Sequence, residues 1–144
     1  MTTQEKPIDL LRNKWERDEL VEMLYCDVKH QLIQAQHYVN IDMPKDEIKN
    51  LTDVYAGGGG YDLKFFDAYL SQIHLLPPNQ SNLVINFYRG LSIVNSWNIE
   101  LKDRANYLPE QRKKLMLDAQ EKNREIIKTA EMLIRSFKHT YRLK

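Results

Sequence analysis

The chain has 144 residues, 42% apolar and 28% charged, with a formal net charge of +1 and a single cysteine, Cys26. That length supports one domain, residues 1–144, able to bury roughly two-thirds of its unfolded surface. The charge balance excludes a uniformly basic or acidic surface, one cysteine excludes an internal disulfide, and no run approaches the ~20 apolar residues of a membrane span.

The first twenty residues are polar and charged, without the apolar run a secretory signal needs, so a cytoplasmic setting is expected, or the cytoplasmic face of a membrane if an anchor precedes the chain. Pro7 suits a helical first turn, where a missing N–H costs nothing. From about Ile8 to Val39 the spacing predicts a first helix. Val21, Leu24, Val28, Leu32, Ala35 and Val39 recur in steps of three and four, which puts them on one stripe. Cys26 falls within this pattern and reads as a small packed residue. Before Leu20 the stripe weakens, because Leu10, Leu11 and Trp15 stand among charged neighbours. Such a helix is roughly 45–50 Å long, more than a compact domain of this size needs.

Residues 40–61 read as a connector with a short helix over 45–55, where Asp42 can cap and Pro44 can fill the first turn. The run Gly57-Gly58-Gly59-Gly60 reads as a flexible hinge. A phosphate loop needs a preceding strand and a Gly-Lys-Ser/Thr ending, whereas this run continues Tyr61-Asp62. Asp62 then reads as the N-cap of a further helix carrying Phe65, Phe66, Tyr69, Leu70 and Ile73, stopped by Leu76-Pro77-Pro78. Asn79 or Ser81 can cap the next helix, through Leu83, Phe87, Leu91, Val94 and Leu101, in which Gly90 suggests close approach of a neighbour. Pro109 opens the last helix, with Ala119, Ile126, Ala130, Leu133, Phe137 and Tyr141 on one stripe and only Asn123 breaking the series.

No alternating strand-like run appears, so the expected fold is all-α: an antiparallel bundle of four main helices plus the short one, with the long first and last helices paired. Charge agrees with that pairing. Residues 1–60 hold 7 Lys/Arg against 11 Asp/Glu, and residues 109–144 hold 10 against 5. Exposed pairs contribute only about 0–1 kcal/mol each, so they select orientation while the apolar stripes supply stability.

Helical bundles can host carboxylate-bridged metals, but no Glu-x-x-His pair occurs. The nearest arrangement is Asp27-Val28-Lys29-His30, with His37 seven residues further on the same face. That is a partial site, since zinc or di-iron needs three or four convergent ligands. Asp27, His30 and His37 are therefore the candidates for a metal-binding or hydrolytic alternative, and no cofactor is expected. HEPN-type helical RNases carry an Arg, four to six residues, then a His; Arg135 and His139 leave three residues between, so the motif fails on spacing. For a nucleic-acid or anionic-surface alternative, the candidates are Arg112, Lys113, Lys114, Arg124 and Lys128 on the last helix, which five acids interrupt.

The stretch Glu22-Met23-Leu24-Tyr25-Cys26-Asp27-Val28-Lys29-His30-Gln31-Leu32 resembles the first helix of small bacterial or phage domains with the pattern Leu-Tyr-x-acid-Ile-x-x-Asn-Leu. Phe66-Asp67-Ala68-Tyr69-Leu70, Leu76-Pro77 and Asn86-Phe87-Tyr88 are similar to their middle helices, while Gln31 stands where the pattern has Asn. Such domains often follow an N-terminal membrane anchor. The resemblance implies an uncharacterised helical domain with no catalytic residue to carry over. The expected function is therefore a non-enzymatic binding or scaffold domain in a bacterial or phage system. It would act through protein–protein contacts, with self-association expected from its long end helices.

Overall fold

The computed structural model describes residues 7–39, 60–103 and 109–143, and every regular element among them is helical. Helix α1 spans Pro7–Val39. A short α2, Lys64–Tyr69, runs into a 3-10 segment at Leu70–Leu75; α3 spans Pro78–Asp103 and α4 spans Pro109–Tyr141. The expected short helix over 45–55 and the glycines before Gly60 lie outside the described residues. Each of the three long helices opens on a proline, whose fixed φ suits a first turn and whose missing N–H would have had no intrahelical partner. Asn79 and Ser81 are thus inside α3 rather than ahead of it, and the Ser81 hydroxyl donates to the carbonyl of Pro78 at 3.0 Å. Helix α4 stops after Tyr141, where Arg142 turns into the left-handed region with φ 53°.

Helices α1 and α3 both pack on α4, and the 3-10 segment touches α1 and α3. Their stripes meet in a core that includes Leu24, Val28 and Ala35 of α1, Leu91 and Val94 of α3, and Leu133 and Phe137 of α4, all fully buried. Burying one such leucine, valine or phenylalanine side chain is worth about 1.5–3 kcal/mol. At Gly90 helices α3 and α4 approach closely: a Cβ there would stand 3.2 Å from Cγ1 of Ile126, as the glycine suggested.

Helix α2 departs from expectation. It is α-helical only to Tyr69, Leu63 occupies its N-cap position with no side-chain cap bond, and none of its residues is buried. Asp62 stands one residue earlier, its Oδ1 accepting the Lys64 N–H at 3.0 Å in an Asx-type turn. Leu70 is half exposed, and Ile73 and Leu76 carry the burial that the longer helix was expected to supply.

Polar side chains fix the chain where it re-enters the fold. Asn95 of α3 grips the backbone of Tyr61 from both sides, accepting its N–H at 2.7 Å and donating to its carbonyl at 2.8 Å. The Tyr61 hydroxyl donates to Oδ1 of Asn123 on α4 at 2.5 Å, and its ring meets Tyr38 of α1 edge-on at 5.5 Å. Gln31 of α1 donates to the Asp62 carbonyl at 2.7 Å. At the other end, buried Gln80 donates to Thr140 at 3.0 Å and Ser136 at 3.2 Å and accepts from the Tyr141 hydroxyl at 2.7 Å.

Candidate functional site

Helix α1 has a second stripe beside the one that enters the core. Leu11, Trp15, Glu22, Cys26 and Ile33 follow steps of four, seven, four and seven, which is a line along one side of a helix. Leu11, Trp15 and Ile33 on this line are 69%, 66% and 67% exposed. Cys26 is exposed too, contrary to the packed position expected of it. The reason is angular: the core takes Leu20, Val21, Leu24, Tyr25 and Val28, and position 26 falls off that arc.

Two open hollows lie end to end along the same side. One, of about 510 Å³, is lined by Glu22, Met23, Cys26, Asp27, His30 and Phe65. The other, of about 370 Å³, is lined by Trp15, Glu16, Glu19, Leu20, Tyr69 and Gln72. Phe65 and Tyr69 stack at 4.7 Å between centroids, so one aromatic pair of α2 walls both. Helix α2 holds this position because Tyr61 and Asp62 are pinned just before it, and because Phe66 lies flat on Tyr88 of α3 at 4.3 Å and 9°. With Phe66 turned inward, its neighbour Phe65 is left to the groove.

Asp27 sits at the groove's inner edge and accepts a hydrogen bond from the Tyr88 hydroxyl. Burial raises its carboxyl above the ordinary carboxylate range, and the Tyr88 and Gln31 hydrogen bonds and nearby His30 only partly oppose this. Burial, then the bond to Asp27, pushes the Tyr88 phenol far up, so this hydroxyl remains a donor.

The structure brings Asp27 and His30 to one hollow but leaves His37 out of its lining; the His37 ring lies near that of Tyr38, at 6.2 Å. Among the described residues no three His, Cys, Asp or Glu side chains group as a metal ion requires. Of the basic candidates, Lys113, Lys114, Arg124 and Lys128 are exposed and Arg112 is partly buried. Lys114 shares a hollow with Glu100 and Asp118, and exposed Glu121, Glu125 and Glu131 interrupt the helix. Lys122 also pairs with Glu125 at 3.1 Å. Where the start of α1 meets the end of α4, the Arg17 guanidinium lies over the Tyr141 ring at 5.8 Å. This contact is cation–aromatic and is not one of the acid–base pairs expected between the two helices.

Sequence reading missed the groove and the polar anchors behind it. Asn123, breaking an apolar series, was the one visible signal of a buried acceptor. No family model, curated protein or solved structure matches the chain. The fold itself defines an all-helical protein, and among the described residues no helix is long and apolar enough to cross a membrane.

Proposed function

We propose that this chain is a non-catalytic helical binding module whose working surface is the exposed stripe of α1 together with the Phe65–Tyr69 wall. Its frame is an antiparallel bundle. Supporting that frame, Arg17 near the start of α1 meets Tyr141 at the end of α4, and Gln80 at the start of α3 meets Ser136, Thr140 and Tyr141. The observation that carries the binding reading is the coincidence of exposure and shape. Trp15, Glu22 and Cys26 of the exposed line border the hollows, and the exposed Leu11 and Ile33 extend that line beyond them. Apolar side chains gathered on one line, rather than scattered singly, mark an interaction surface. A helix in a groove reads such a line. The role that fits is an accessory or scaffold in a bacterial or phage system, in the cytoplasm or at its membrane face, with a protein as partner.

Site-specific photo-crosslinking tests this. A benzophenone amino acid placed at Met23, in the groove, yields discrete protein adducts in the native cells, and the same group at Met132 on the outer side of α4 does not. Equal adducts from both positions, or none from Met23, contradict the reading.

A further inference from the structure

We infer that the segment received by the α1 groove is a basic amphipathic helix of another protein. This rests on the binding reading above and names its partner's chemistry. Between Glu16 and Asp27 the groove side of α1 presents Glu16, Glu19, Glu22 and Asp27, and neither hollow has a lysine or arginine in its lining. Arg12 lies 3.9 Å from Glu16, so those two charges offset each other and the acidity of the groove rests on Glu19, Glu22 and Asp27, while the Lys29 ammonium folds back over the Tyr25 ring at 4.8 Å. Trp15, Leu20, Met23, Phe65 and Tyr69 give the lining its apolar and aromatic part, and Cys26, His30 and Gln72 complete it. An acid-rimmed apolar trough selects a ligand with large apolar anchors and lysines or arginines beside them, and repels nucleic acid and anionic lipid.

Dimensions select a helix. From Leu11 to Ile33 the stripe is roughly 33 Å long at 1.5 Å per residue, and a helix laid along it would be about 10–12 Å across. That footprint is well short of the ~800 Å² per partner of a stable domain–domain interface, and suits a single docked segment. A second copy of the chain offers a poorer fit. The exposed side of α4 is basic at Arg124, Lys128, Arg135 and Lys138, but over that length Met132 is its one strongly exposed large apolar side chain. A partner helix needs several anchors at steps of three and four, as α1 itself has.

The test uses two labelled 21-residue helical peptides, one of leucine and lysine at amphipathic spacing and one with glutamate in place of every lysine, titrated onto the whole chain by fluorescence anisotropy. The lysine peptide binds at least about tenfold tighter at low salt, and the advantage shrinks as salt screens the exposed charges. Glu19→Lys with Glu22→Lys inverts the preference, and Trp15→Ala with Ile33→Ser weakens the lysine peptide about tenfold. All four residues are exposed, and an unchanged circular dichroism spectrum and melting temperature confirm that each variant folds. A lysine-peptide preference that survives the charge reversal, or equal binding of both peptides, overturns the inference. So does a molecular mass that rises with concentration in the native chain and falls to monomer in the reversed one, since the groove then takes a second copy. Adducts from Met23 alongside charge-blind peptide binding would sink the basic-helix inference alone and leave the binding module standing.

Discussion

Tyr61 donates its hydroxyl to Oδ1 of Asn123 across 62 positions of sequence, and both side chains are buried. This bond ties the segment that leads into α2 to the middle of α4, while Asn95 holds the same residue by its backbone. The groove wall is thereby fixed from behind: moving Tyr61 moves Asp62, α2 and the Phe65–Tyr69 pair.

Tyr61→Phe removes the donor and keeps the ring. The expected cost is about 1–3 kcal/mol, because the buried Asn123 oxygen loses the Tyr61 donor without gaining water. Urea unfolding measures it. Combining Tyr61→Phe with Asn123→Leu should cost less than the sum of the two single changes, since the coupled polar pair then leaves together.

Gln80→Ala removes the side chain that joins the start of α3 to Ser136, Thr140 and Tyr141. A loss of about 2 kcal/mol is expected, from bonds given up and a partly buried hydroxyl left short of its acceptor. Hydrogen exchange locates it: amides of the last turn of α4 exchange faster, and those around Gly90 much less so.

Gly90→Leu forces a branched side chain into the contact with Ile126, whose Cγ1 would already stand 3.2 Å from an added Cβ. Overpacking of this kind costs about 1–3 kcal/mol. Gly90→Ala should cost much less than Gly90→Leu, because its single added carbon asks Cγ1 of Ile126 to give by only a few tenths of an ångström and alanine is a better helix former than glycine. Thermal melts of the two variants compare them directly.

Asp27 makes a pH-dependent contribution whose sign follows from burial. Its carboxyl is raised in the fold, so between the ordinary and the raised value the folded chain holds the proton more tightly than the unfolded one. Stability from this group is present below the ordinary value and is lost as pH rises through the raised one. Asp27→Asn keeps an acceptor for Tyr88 and removes the charge. The variant should melt higher than the native chain at pH 7, and the gap should close as pH falls toward the carboxylate range. A gap that widens on acidification contradicts this.

The core stripes of α1 and α4 were legible because runs such as Val21, Leu24 and Val28, or Ile126, Ala130 and Leu133, keep one helical phase over several turns. The prolines at 7 and 109 announced two helix starts for the same local reason. Periodicity does not say which of two apolar lines on a long helix is covered, so Leu11, Trp15, Cys26 and Ile33 were not recognised as a surface. Their line is also diluted by Glu19 and Glu22. Partners of buried polar groups were illegible for a different reason: Gln31 with Asp62, Asn95 with Tyr61 and Gln80 with Thr140 lie 31, 34 and 60 residues apart, and only tertiary packing pairs them. Asp62 was assigned to the right turn but with the wrong partner, since an Asx turn and an N-cap present the same residue type to the same kind of donor.

Cys26 provides the most direct measurement of the central claim, because the chain's single thiol lies exposed in the groove. Its rate of modification by a neutral thiol reagent is compared in purified protein and in protein captured from its native cells with partners attached, using a Cys26→Ser, Met132→Cys variant as reference. If the groove is the binding surface, partners slow modification of Cys26 severalfold and leave the thiol at position 132 unaffected. Equal rates at Cys26 with and without bound partner would contradict the account.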